Sequence, residues 1–271
     1  MPIEPGTEEG WLVVDDAVRS ARERLGAGLL SAYAIGSLAH GGFRPAVSDV
    51  DVALLTDRQP DRDVVGIVAL VAADVRDTGH ALADRLSIFH APWASFCDPP
   101  PDARFPPIDR YDLVHFGILV DGIDHRSVYG VEPAAGQIRE QAVAYALRGV
   151  TGLQLAADLR ALEDGGVTVH DATKIVLWPV RLQHVCDTGQ PTGNAAAVEH
   201  YLGLADARHR SLVRDALGWR DLGALPDPRT ALERIVGEIH DLHAEVFRRL
   251  GDRVDMPRRE ELAARGRELS G

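Results

Sequence analysis

The spacing of apolar positions divides the chain near residue 135. Over 11–25, Leu12, Val13, Ala17, Val18, Ala21 and Leu25 recur at steps of three and four and stop at Gly26, which predicts an amphipathic helix. The same period returns over 63–77, with Val64, Ile67, Val68, Val71 and Val75 on one side. Short apolar runs bounded by turn residues predict strands over 29–35, 50–55, 85–90 and 113–121. Pro99, Pro100, Pro101, Pro106 and Pro107 crowd the stretch 98–107, which is expected as an extended surface loop because proline suits neither a helix interior nor a central strand. Strands alternating with helical patterns imply an α/β domain over 1–134. From Gly136 onward only the helical period remains, over 137–162, 172–186, 195–202, 208–217 and 230–250. Gly165-Gly166, Thr188-Gly189-Gln190-Pro191 and Leu225-Pro226-Asp227-Pro228 separate these helices. An all-α helical-bundle domain over 135–271 follows, with 257–271 as a charged terminal helix expected to fray.

The first two strands carry the chemistry. An apolar run reaches Gly36-Ser37, a glycine-rich turn follows, and Asp49 and Asp51 stand two apart at the start of the next apolar run. Side chains at i and i+2 of a strand share a face, so the two carboxylates project together. Two carboxylates among valines and leucines are costly without a partner. A hard divalent cation suits them, because Mg2+ takes oxygen ligands and shares them with substrate phosphates. At Gly36 no Cβ blocks the backbone, so N–H groups and the Ser37 hydroxyl can approach a phosphate. The simpler reading, a solvated strand end beside an ordinary turn, requires these features to coincide by chance.

The run Gly36-Ser37-Leu38-Ala39-His40-Gly41-Gly42-Phe43-Arg44-Pro45, followed by Ser48-Asp49-Val50-Asp51, resembles the aminoglycoside adenylyltransferases that modify streptomycin and spectinomycin, within the nucleotidyltransferase superfamily. The spacing is one residue longer here, at Ala46-Val47. The resemblance implies a mixed sheet in the first domain and a cleft between the two domains for nucleotide and acceptor. It implies Asp49 and Asp51 as catalytic metal ligands for Mg2+, with Gly36, Ser37, Arg44 and Ser48 on the nucleotide, ATP. In the helical half, Asp171, then Arg181, then Thr188-Gly189 resemble the helix by which the family reaches its acceptor and nucleotide. Asp171 would face a cationic or hydroxyl-rich acceptor and Arg181 the nucleotide. Asp171 equally suits a helix N-cap before Ala172-Thr173-Lys174-Ile175. Arg181, on a largely apolar helix, is expected to be buried against an anion.

Two departures bear on activity. The family carries a glutamate after a leucine on the third strand; the matching run here is Leu86-Ser87-Ile88-Phe89, so Ser87 faces the acceptor in its place. Serine takes up no proton near neutral pH, and a positioned base contributes roughly 100- to 10,000-fold. Asp84 or His90 could substitute, although both share strand parity with Ile88; the metal alone could activate the hydroxyl; or the protein could bind nucleotide with transfer lost or altered. The second departure is Asn194, where the family has a lysine. The segment 122–128 resembles a family stretch that closes the sheet.

Bulk properties narrow the partners. The 271 residues carry a formal net charge of −12, which argues against sequence-independent nucleic-acid binding and suits a cationic small-molecule acceptor. No apolar stretch reaches the roughly 20 residues of a membrane span, and Met1-Pro2-Ile3-Glu4-Pro5 lacks the features of a signal peptide. Cys97 and Cys186 show no metal-ligand spacing, so a reduced, cytoplasmic location is expected. His240 and His243 stand three apart without the glutamate or spacing of a helical zinc site, and Trp93, Trp178 and Trp219 read as packing residues, with Trp93 the one candidate for a site role. Oligomeric state has no signature in the chain.

Overall fold

The computed structural model describes residues 7–57, 63–96, 104–126, 134–149 and 151–270, which divide into two compact units, Met1–Pro133 and Ala134–Gly271. In the first, the described elements are α1 (Thr7–Leu25), β1 (Leu29–Ile35), α2 (Gly36–His40), β2 (Val50–Thr56), α3 (Val64–Asp77), β3 (Leu86–Pro92), α4 (Pro107–Phe116) and β4 (Ile118–Gly122). The described strands form one mixed sheet in the order β3-β2-β1-β4. β1 runs antiparallel to both β2 and β4, whereas β2 and β3 are parallel. The mixed α/β sheet expected from the sequence is present.

The alternation of the strands sorts their side chains into two cores. Val50, Val52, Leu54 and Ile88 pack on one face beneath α1 and α3, with Val13, Ala17, Val71 and Val75. Ala53, Leu55, Tyr33, Ile35 and Phe89 pack on the other with Phe105 and Leu113. Each fully buried aliphatic side chain contributes roughly 1.5–3 kcal/mol. α1 and α3 are further joined by Arg24, whose guanidinium lies 2.7 Å from Asp74.

Three boundaries differ from expectation. The run 113–121 is not one strand: α4 occupies its first part, Gly117 turns the chain, and only Ile118–Gly122 joins the sheet. Pro107 begins α4, where a missing N–H costs nothing. The predicted helix 137–162 is two helices, α5 (Ala135–Gly149) and α6 (Gly152–Gly165). Thr151 restarts the second as its N-cap, accepting the Gln154 N–H. The terminal helix α11 (Met256–Ser270), expected to be loose, packs along α10 (Pro228–Gly251), with Leu262 and Leu269 buried. The proline-rich expectation over 98–107 falls mostly outside the described residues, as do Cys97 and residues 127–128.

α7 (Val169–Thr188) runs through the second unit, packing against α5, α8 (Asn194–Gly203), α9 (Arg210–Leu222) and α10. Among the described residues, no helix is long and apolar enough to cross a membrane.

Candidate active site

β1 and β2 bring the glycine-serine turn onto the aspartates. Ile35, the last residue of β1, pairs with Asp51 near the start of β2. The chain then leaves the strand at Gly36 with φ +66°, a conformation L side chains rarely adopt. A Cβ on Gly36 would lie 2.3 Å from Asp51 Oδ2, so the turn's backbone rests directly on the carboxylate. Ser37 sits half-buried in the first turn of α2. The helix ends at Gly41, whose N–H, like that of Gly42, donates to the Ser37 carbonyl.

Asp49 immediately precedes β2, and strand alternation puts it on the side of Asp51, Ala53 and Leu55. The loop that delivers it is fixed from within. The buried Ser48 hydroxyl accepts the Arg44 N–H at 3.0 Å, and the Ser48 N–H returns to the Arg44 carbonyl at 2.8 Å. Arg85 adds a 2.6 Å bond from its guanidinium to the Pro45 carbonyl. The Arg44 residue itself is exposed. Two half-buried carboxylates beside a bare backbone edge fit Mg2+, which is commonly held by one or two carboxylates plus substrate phosphates. Among the described residues, no group of three or more His, Cys, Asp or Glu gathers as a cage for a metal.

The sequence did not reveal Asp112. This buried carboxylate on α4 accepts the Gly36 N–H at 2.6 Å and lies 2.5 Å from His40 Nε2. Gly36 is therefore held between two acids, Asp51 below its Cα and Asp112 on its N–H. Asp112 lies between the proline-rich stretch 98–107 and the apolar run 113–121, where the sequence predicts no element; Pro106-Pro107 with Asp109 in the following turn is a helix-start signal that points to α4. Asp112→Ala strands the Gly36 N–H, and we expect a stability loss of about 1–3 kcal/mol together with weakened triphosphate binding. Denaturant unfolding and nucleotide titration of that variant check this, and an unchanged titration would exclude the positioning role.

Ser87 pairs with Asp51 across the parallel strands, so the position beside the aspartate carries a hydroxyl. That hydroxyl accepts from Arg104 Nη2 at 3.0 Å, and the same guanidinium lies 5.0 Å from the centre of the Phe89 ring. Neither expected substitute stands there. Asp84 precedes β3, its side chain 89% exposed and 3.6 Å from Arg76. His90 is buried, with the strand parity of Ile88. At the end of β4, Arg126 holds the Asp124 carboxyl down to about 2, and Tyr33 donates to it at 3.2 Å. Trp93 packs against Phe96 and His125 with tilted rings, their centres 5.3 and 5.0 Å away.

In the helical unit, Thr168 and not Asp171 is the N-cap of α7, its hydroxyl accepting the Asp171 N–H. Asp171 is exposed in the first turn, and its carboxylate accepts from Thr168 Oγ1 at 2.6 Å. Arg181 is also exposed, which corrects the expectation of a buried anion: water solvates the guanidinium, so burial demands no partner. Asn194 is the first residue of α8. Cys186 is free and buried, and desolvation pushes its thiol up to about 12.

No protein-family model and no curated protein matches the sequence. In fold, the chain is similar to the crystal structure of spectinomycin adenyltransferase AAD(9) from Enterococcus faecialis, solved with ATP and spectinomycin. The two share a TM-score of 0.64 at 14% identity, over 89% of this chain and 98% of that one. The likeness establishes the fold that the two proteins share: a mixed-sheet α/β unit and a helical unit.

Proposed function

We propose that a chain of this fold transfers a nucleoside monophosphate, AMP from ATP, to a hydroxyl of a small molecule of the aminoglycoside type. The observation that carries the reading is the Gly36 backbone packed on the Asp51 carboxylate, with a Cβ position only 2.3 Å from Oδ2. A backbone edge bare of side chain and a carboxylate able to ligate a metal are thereby side by side. Asp49 and Asp51 would hold Mg2+, which would supply charge neutralisation at the transferring phosphate. Gly36 and Ser37 grip the triphosphate, Arg44 and Arg181 add positive charge, and Ser48 keeps the Asp49 loop in place. The acceptor oxygen bonds to the α-phosphorus and gives its proton to solvent, the bond from that phosphorus to the oxygen bridging it to the β-phosphate breaks, and pyrophosphate leaves. Asp171 faces the acceptor, whose positive charge suits a protein of net charge −12. A reaction that consumes ATP fits a cytoplasmic protein.

A second reading, a nucleotide-binding protein whose transfer is lost or altered, is favoured by one observation. The neighbour of Asp51 is Ser87, already accepting from Arg104, and it offers no base for the acceptor proton. Calorimetric titration with ATP and the other triphosphates, with and without Mg2+, followed by pyrophosphate release with spectinomycin or streptomycin added, tests both. Mg2+-dependent ATP binding with acceptor-dependent pyrophosphate supports transfer. Binding without release supports the second reading. Absence of binding to any triphosphate, with Mg2+ and acceptor present, overturns both.

A further inference from the structure

Beside Asp51 the neighbouring strand carries no base but a hydroxyl with a cation resting on it. Ser87 is the partner of Asp51 across the parallel strands, and Phe89, two residues on, shares its face of β3. Arg104 lies over both. Its Nη2 donates to Ser87 Oγ at 3.0 Å, and its guanidinium carbon stands 5.0 Å from the centre of the Phe89 ring. Nη1 lies 3.4 Å from the Ile88 carbonyl oxygen. The backbone holds the residue in place. The His90 N–H donates to the Arg104 carbonyl at 3.0 Å, which lays the segment along the edge of β3. The buried Phe105 packs its ring against Phe89 and Phe96, with centres 6.2 and 5.4 Å away.

This anchoring presents a positive charge on the face that carries Asp51. The serine hydroxyl, the carbonyl and the ring against the guanidinium are all uncharged, and the residue is exposed. A guanidinium stays protonated at physiological pH, so Arg104 cannot take the proton of an acceptor hydroxyl. Its planar fork suits the oxygens of a phosphoryl group instead, which it meets with two N–H donors at once. Phosphoryl transfer makes little demand on a base. Its transition state is loose, charge spreads over the equatorial oxygens, and catalysis comes mostly from placement and electrostatics. One side chain away from Asp51, a fixed cation serves such a transition state where a base is missing.

We propose that Arg104 is a catalytic residue of the transfer, its guanidinium binding an equatorial oxygen of the α-phosphoryl group as that group passes to the acceptor. The inference rests on the transferase reading and adds to it the residue that lets transfer proceed with Ser87 beside Asp51. Bonds form and break as in that reading; Arg104 keeps its own protons, and the proton of the acceptor hydroxyl goes to solvent.

The test on the full chain combines pyrophosphate release with spectinomycin or streptomycin, calorimetric ATP affinity in Mg2+, and nitrogen NMR of the arginine Nε groups. Arg104→Ala should lower kcat about a hundredfold or more and leave ATP affinity within about threefold of the parent. Guanidinium ion in solution should return part of that rate. Arg104→Lys, which keeps the charge and loses the fork, should fall between the two. Ser87→Glu should slow transfer, because a carboxylate there ties up the guanidinium, whereas a protein that merely lacked its base would gain. The Arg104 Nε resonance, identified by its loss in Arg104→Lys, should move when Mg2+ and ATP are added together.

An unchanged kcat in Arg104→Ala, a faster Ser87→Glu, or a resonance that stays fixed at saturating ATP overturns the inference and leaves the transferase reading standing. A parent that binds ATP without releasing pyrophosphate fails that reading instead, and the resonance then decides whether Arg104 holds the phosphoryl oxygen. A parent that binds no triphosphate fails both. If Arg104→Ala does not fold, Arg104→Lys and Ser87→Glu carry the kinetic comparison.

Discussion

Asp51→Asn is expected to lower nucleotidyl transfer about a thousandfold or more while the protein stays folded. The substitution keeps the shape of a half-buried side chain and removes the charge that Mg2+ binds. Metal stabilisation of a transferring phosphoryl group is worth several kcal/mol, and each 1.36 kcal/mol, roughly, is tenfold in rate. The register Ile35–Asp51–Ser87 uses backbone pairing, which the amide leaves intact. Pyrophosphate release at saturating ATP, paired with circular dichroism, measures both halves. Asp49→Asn should act in the same direction, and the double variant should lose Mg2+-dependent ATP binding. Turnover within tenfold of the parent in Asp51→Asn would remove the carboxylate from the mechanism.

The second large effect separates backbone strain from site geometry. Gly36 and Gly41 open and close the same short helix, with φ +66° and +79°. Alanine in this region costs about 1–2 kcal/mol at either position. At Gly41 nothing lies within 4 Å of the added methyl, whereas at Gly36 it meets Asp51 Oδ2 at 2.3 Å. The carboxylate is the movable partner, so Gly36→Ala should rotate it away from the metal position. Both variants should therefore lose similar stability in denaturant unfolding. Only Gly36→Ala should lose transfer, by about a hundredfold or more, given the several kcal/mol at stake in metal placement. Equal activity in the two variants would show that close packing on Asp51 is incidental to function.

These two residues were legible because everything they need is near them in the chain. Gly36 is two strands' turn away from Asp51, and the alternation of β2 follows from its own apolar residues. The strand 29–35 and the helix starting near Asp63 were readable for the same reason; Asp63 caps α3 through the Gly66 N–H. Legibility failed where a local signal was ambiguous. The apolar residues of 113–121 suit a buried helix or a buried strand, and period alone does not separate them over so short a run. Reading them as strand hid the helix α4 that carries Asp112, just before the run, onto Gly36 across 76 positions. Arg181 failed differently: an arginine among apolar neighbours looked buried, yet its own direction on α7 leaves it exposed.

The sequence by itself determined the two-part architecture, the glycine-serine turn and the paired aspartates, because hydrophobic period and turn chemistry act between residues a few positions apart. Only the tertiary structure decided which distant groups meet. It set Ser87 with its Arg104 partner beside Asp51, Asp112 on the Gly36 N–H, and His243 on the carbonyl that Pro179 leaves unpaired, a contact across 68 positions. Such pairings depend on how helices and strands pack, and packing sums many weak contacts that no single stretch of sequence contains.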